Sequence, residues 1–138
     1  MGQRVVFTNG CFDLLHRGHL EYLRAARRLG DVLLVGVNSD DSVRALKGPG
    51  HPYQTEDDRV ALLSEMECVS HVCAFDEVSV ENLVAEVAPD VLVKGGDYRL
   101  EEVVGREVVE GAGGLVLAVP LWEGISTSDL IRQIKSGD

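Results

Sequence analysis

The chain has 138 residues, of which 45% are hydrophobic and 26% charged. That is the size of one domain and a globular composition, with no apolar run near the ~20 residues of a membrane span. The net charge of −10 argues against a nucleic-acid partner, which is bound through clustered Lys and Arg, so an anionic ligand has to be met locally by a few of the 13 basic residues. Met1-Gly2-Gln3-Arg4 leads straight into an apolar segment with no secretory leader, and a cytoplasmic protein without a membrane partner is expected. Cys11, Cys68 and Cys73 are too few for a disulfide framework, and no second ligand pair follows Cys68, His71 and Cys73 at zinc-site spacing.

In chain order, Val5-Val6-Phe7, Val32-Leu33-Leu34-Val35, residues 69–75, Val91-Leu92-Val93 and residues 115–119 are short apolar runs rich in β-branched residues. Runs without polar alternation suit strands buried on both faces, as in a parallel sheet. After the first run, Leu20, Leu23, Ala26 and Leu29 recur at helical spacing, and Gly30 stands where a helix C-cap is expected. Ser39 is placed to cap a second helix. Thr55 followed by Asp58 resembles a capping box opening a third helix that carries Val60, Leu62, Leu63 and Met66. Ser79 can cap a fourth, which Pro89 ends. Residues 47–54, with two glycines and two prolines, form the one irregular stretch and a candidate lid. The alternation predicts a single domain over residues 1–138: a Rossmann-like, doubly wound α/β fold with a parallel five-stranded sheet. Its ligand should sit beyond the carboxyl ends of the strands.

The segment Asn9-Gly10-Cys11-Phe12-Asp13-Leu14-Leu15-His16-Arg17-Gly18-His19 joins the first strand to the first helix. A helix N-terminus offers free backbone N–H groups and the positive end of a dipole, which favour a phosphate. Gly10 and Gly18 allow close backbone approach. His16 and His19, three apart, project from one helical turn and can donate hydrogen bonds to phosphate oxygens as charge grows on them. A lone His at a helix start is ordinarily a cap or a solvated residue, but two around a glycine after a buried strand point to chemistry. The Gly-rich dinucleotide fingerprint and the phosphate loop ending in Gly-Lys-Ser/Thr are absent, and zinc-binding helical histidines usually sit four apart.

His16-Arg17-Gly18-His19, after Gly10-Cys11-Phe12-Asp13, resembles the His-x-Gly-His signature of the cytidylyltransferase-like nucleotidyltransferases. Glu123-Gly124-Ile125-Ser126-Thr127-Ser128 is similar to that family's Ile-Ser-Thr-Thr/Ser phosphate-binding helix start, and the two signatures stand in the family's order. The resemblance covers essentially the whole chain, including Val37-Asn38-Ser39-Asp40 and Ala45-Leu46-Lys47-Gly48. Within the family, the first loop, Lys47-Gly48-Pro49-Gly50 and Val93-Lys94-Gly95-Gly96-Asp97-Tyr98 look most like the heptose 1-phosphate adenylyltransferases, which make ADP-heptose for lipopolysaccharide core or related glycans. That activity occurs fused to a sugar kinase or alone, and this chain is expected to be the stand-alone form.

The resemblance implies transfer of AMP from ATP to a sugar 1-phosphate, D-glycero-D-manno-heptose 1-phosphate, by direct in-line displacement of pyrophosphate. It gives His16 and His19 the stabilisation of the transition state at the α-phosphate and Lys47 the neutralisation of both substrates' phosphates. Asn9, Gly10, Cys11, Phe12 and Gly18 are implied to line the nucleotide, with Arg59 organising the same end of the site. Gly96 and Asp97 would lie near base and ribose, while Ser126, Thr127 and Ser128 would hold the β- and γ-phosphates. Asp13 and Lys94 fall in the vicinity of the acceptor or the metal. Mg²⁺ is the implied cofactor, held mainly by the nucleotide rather than by a protein cage. The family is commonly dimeric, so a homodimer is the implied assembly. Two departures stand out. Leu121 occupies a position where glycerol phosphate cytidylyltransferases usually carry arginine, which counts against cytidylyl transfer, and His51-Pro52 replaces the usual Arg-Pro of the heptose enzymes. The rival readings are a glycerol 3-phosphate or other polyol-phosphate cytidylyltransferase and a non-catalytic nucleotide-sensing module.

Overall fold

The computed structural model describes residues 2–96, 102–120, 131–132 and 134–135. Strands and helices alternate: β1 (Val5–Gly10), α1 (Arg17–Arg27), β2 (Val32–Asn38), α2 (Asp40–Lys47), α3 (Glu56–Ser64), β3 (His71–Phe75), α4 (Glu81–Val87), β4 (Val91–Gly95), α5 (Arg106–Gly111) and β5 (Leu115–Val119). The five strands form one parallel sheet in the order β3-β2-β1-β4-β5. All five expected strands are present, and the doubly wound topology is as the alternation predicts.

Side chains alternate across the sheet, so each apolar run feeds two cores. Val6, Leu33, Val35, Val37, Val91 and Val93 pack on one face with Leu23 and Ala26 of α1 and Leu63 of α3. Phe7, Leu92 and Val116 pack on the other with Val84 of α4 and Val109 of α5. Continuous apolar strands are therefore needed; alternation would have left one face polar.

The caps account for most helix boundaries. Ser39 Oγ accepts from Ser42 N–H at 3.2 Å, and Thr55 Oγ1 from Asp58 N–H at 3.3 Å. Ser79 acts one residue ahead of α4, accepting from Glu81 N–H at 3.3 Å, and α4 closes on the left-handed Ala88 just before Pro89. Two expectations are corrected. Gly30 does not cap α1, whose last turn closes on the right-handed Arg28; a Cβ at Gly30 would stand 2.7 Å from the Arg4 carbonyl and 2.7 Å from Val6, so its glycine serves close packing against the start of β1. Met66, expected on the third helix, lies beyond its end at Ser64, and of that helix's two leucines Leu63 reaches the core while Leu62 is 46% exposed. No helix among the described residues is long and apolar enough to cross a membrane.

Candidate active site

The chain winds one way from β1 to β2 and the other from β4 to β5, which makes β1/β4 the switch point of the sheet, where ligands of open α/β folds bind. The register shows how the crevice opens. β1 pairs with β2 as far as Gly10↔Val37, and β4 with β5 as far as Gly95↔Val119. Between β1 and β4 only Val6↔Val91 and Phe7↔Leu92 pair. The two central strands part beyond Phe7 and Leu92, leaving Asn9 and Gly10 on one lip and Lys94, Gly95 and Gly96 on the other.

From the first lip the chain runs through a strained loop. Phe12 and Leu14 both have φ of 51°, a left-handed conformation unusual for such side chains. Three contacts hold it there. Asp13 is 4% exposed, and its carboxylate accepts from Tyr53 N–H at 2.7 Å and Gln54 N–H at 2.9 Å. Gln54 returns the contact, its Oε1 accepting from Leu14 N–H at 3.0 Å. Arg59, 0% exposed, donates to the carbonyls of Cys11 (2.8 Å), Asn38 (2.6 Å) and Gln54 (3.0 Å) and to the Asp40 carboxylate (2.8 Å). Arg59, expected among the nucleotide-binding residues, thus turns its donors inward and ties the loop after β1 to the end of β2, the start of α2 and residue 54. Gln54 was not anticipated from the sequence, because a lone glutamine after a Pro-rich loop carries no motif. The candidate lid is correspondingly anchored at its far end, on Asp13 and Arg59.

The two histidines form a reciprocal pair at the start of α1. His16 is the N-cap; its Nδ1 accepts from Gly18 N–H at 2.9 Å, while His16 N–H donates to His19 Nδ1 at 3.2 Å. One of the N–H groups expected to be free for phosphate is therefore already used. A backbone N–H can only donate, so both Nδ1 atoms are unprotonated and each neutral ring carries its proton on Nε2. Nε2–H is then the donor each imidazole offers to a ligand. The rings lie 4.1 Å apart between centroids, with the Phe12 ring 5.7 Å from His19. Burial, then the charges of His16 and Lys47, lower the His19 pKa to about 4; burial lowers that of His16 as well.

Basic charge converges on this loop in an otherwise acidic chain. Burial raises the Cys11 thiol, and Lys47, Arg59 and Lys94 each pull against it. Lys47 ends α2 exposed, beside Gly48, whose φ of 94° turns the chain away. Lys94 is partly buried at the end of β4, and burial lowers its pKa. The structure brings together Asn9, Gly10, Cys11, Phe12, Asp13, His16, Gly18, His19, Lys47, Arg59, Lys94 and Gly96 at one end of the sheet. Asp97, Ser126, Thr127 and Ser128, together with Leu121, lie outside the described residues.

A family model described as cytidylyltransferase-like matches residues 7–133. Among curated relatives, the bifunctional protein HldE of Trichlorobacter lovleyi is 52% identical over 133 residues, 96% of this chain and 27% of that protein. Its counterpart from Geobacter sulfurreducens gives the same figures, 52%, 96% and 27%. That of Alcanivorax borkumensis is 48% identical over 99% of this chain and 29% of its own length. The chain thus spans under a third of the curated relatives it matches. Among solved structures, a lipopolysaccharide core biosynthesis protein from Thermoplasma volcanium superposes with a TM-score of 0.71 at 31% identity, covering 90% of this chain and 100% of the other. Pantothenate synthetase from Thermus thermophilus, at 23% identity and a TM-score of 0.62 over 92% of this chain and 61% of its own, shares the fold.

Proposed function

Because this chain belongs to the cytidylyltransferase-like family of nucleotidyltransferases, we propose that it transfers AMP from ATP to a sugar 1-phosphate, D-glycero-D-manno-heptose 1-phosphate, releasing pyrophosphate and forming ADP-heptose. The observation that carries the chemistry is the reciprocal His16–His19 pair, which fixes two neutral imidazoles with Nε2–H as donor beside a loop ringed by Lys47 and Lys94. The choice of sugar and base is supported by the 48–52% identity to proteins named HldE and by the likeness of the Lys94-Gly95-Gly96 segment to the heptose enzymes.

On this reading the acceptor's phosphate oxygen attacks the α-phosphorus of ATP, the bond to the β-phosphate bridging oxygen breaks, and pyrophosphate departs with that electron pair. His16 and His19 donate to the oxygens on which charge accumulates, and they do so without first losing a proton, since both rings are held neutral. Lys47, on an exposed helix end beside the loop, can reach the phosphates and offset repulsion between two anionic substrates. Asp13, Gln54 and Arg59 hold the loop in place, so that the donors are organised before substrate arrives. The described residues offer no cluster of three His, Cys, Asp or Glu for a metal. Both oxygens of Asp13 already accept backbone N–H groups, a donor set suited to Mg²⁺ arriving on the nucleotide's phosphates, whose charge it would neutralise.

The product identifies the activity. Mass spectrometry of a reaction with ATP, Mg²⁺ and heptose 1-phosphate is expected to show ADP-heptose. CDP-glycerol from CTP and glycerol 3-phosphate, with no ADP-sugar from the first mixture, would transfer the assignment to the polyol-phosphate enzymes.

A further inference from the structure

We propose that Tyr22 is a positioning residue for the nucleotide crevice, its phenol hydroxyl propping β1 and β4 apart at the switch point. The role rests on the nucleotidyltransferase reading of that crevice. The β1–β4 ladder stops at Phe7↔Leu92, although both strands continue for three residues beyond. One further step of the same register would pair Thr8 with Val93. The Tyr22 hydroxyl, brought in from α1, stands between those two residues instead: it lies 2.6 Å from Thr8 Oγ1 and donates to the Val93 carbonyl at 3.2 Å. Its single hydrogen is committed to Val93, so the Thr8 hydroxyl is the donor of the other bond. Thr8 is fully buried, and burial pushes the Tyr22 phenol up to about 12, so the relay stays neutral and intact across the working pH range.

Beyond the relay the two lips carry Asn9 and Lys94. Asn9 Oδ1 is buried with no hydrogen-bond partner among the described residues, and Lys94, on the opposite lip, makes no ion pair among them. A ligand can supply both partners only while the strands stay apart. Removing the phenol oxygen leaves the Thr8 hydroxyl and the Val93 carbonyl buried and mutually unsatisfied, and the nearest relief for each is the other, which narrows the crevice.

Tyr22→Phe keeps the ring and its packing and removes the prop. ATP affinity, measured by titration calorimetry with Mg²⁺ and no acceptor, is expected to weaken on the order of tenfold, with the ATP KM rising in step. The kcat at saturating ATP should stay within about twofold of wild type, since the histidines are untouched. Thr8→Val, which keeps the phenol on the Val93 carbonyl and removes the hydroxyl that would close on it, should leave the ATP KM within about twofold of wild type. The Tyr22→Phe/Thr8→Val double variant should be no worse than Tyr22→Phe alone. Unchanged ATP affinity and KM in Tyr22→Phe would overturn the proposal, as would a fall in kcat and Tm at constant KM, which is the mark of a merely structural hydroxyl. Wild-type chain that binds no nucleotide overturns the nucleotidyltransferase reading itself and this role with it.

Discussion

His16 caps α1 through Nδ1 and, on the proposed reading, offers Nε2–H to substrate, so the two roles respond differently to substitution. His16→Ala removes both: turnover should fall by about 10²–10⁴-fold and stability by about 1 kcal/mol, the usual value of an N-cap. His16→Asn keeps a capping oxygen but no donor in the place of Nε2. It should recover the Tm of wild type while leaving turnover at the level of His16→Ala, and near-normal turnover in either variant would remove His16 from the chemistry. His19 gives a pH dependence of stated sign. Its folded pKa of about 4 lies below the ordinary 6.5, so the unfolded chain binds the proton first. Its contribution to stability is present above pH 6.5 and lost as pH falls toward 4. The Tm of wild type should decline through that window, and the decline should flatten in His19→Asn; parallel profiles would show that Nδ1 is not held unprotonated. The pairing of two histidines as mutual caps was not legible in the sequence, because a His at a helix start reads equally as a cap or as a solvated residue. Their spacing showed only that they share a turn.

Among the secondary-structure elements, the hydrogen bonds of Arg59 have the greatest reach. One fully buried guanidinium joins the loop after β1, the end of β2, the start of α2 and the residue before α3's cap. A lysine ammonium cannot span four acceptors arranged around a planar fork. Arg59→Lys should therefore destabilise the fold by about 2–4 kcal/mol, read from the urea midpoint at unchanged slope. A loss of under about 0.5 kcal/mol would mean that the network has an equivalent substitute. The family resemblance placed this arginine at the site, but its burial and its four acceptors were not legible, since a charge in a helix reads as solvated until its partners are known. Gly30 was misplaced for a related reason. A glycine after a helix looks the same whether it supplies a left-handed cap or clears space for Arg4 and Val6, and only the packing of α1 against β1 distinguishes them. The strands were legible throughout because a sheet covered on both faces demands uninterrupted apolar runs, a local signature that survives without tertiary information.

For the molecule as a whole, the alternation of strands and helices fixed the topology, and the topology fixed where a ligand sits. The width of the opening was not legible, since it depends on where the β1–β4 ladder stops and on a hydroxyl delivered from α1. Nor was the anchoring of residues 53 and 54 on Asp13, which joins segments 40 residues apart. The proposed reading is that an acidic chain sets Lys47, Lys94 and two neutral histidines around one crevice to handle phosphates. The measurement that tests this most directly is pyrophosphate release by the wild-type chain with Mg²⁺ and each of ATP, CTP, GTP and UTP, against heptose 1-phosphates, hexose 1-phosphates and glycerol 3-phosphate. Release with ATP and a heptose 1-phosphate, abolished in His16→Asn, is the predicted result; no release with any pairing, from chain that binds nucleotide tightly, would contradict catalysis and leave a nucleotide-sensing module in its place.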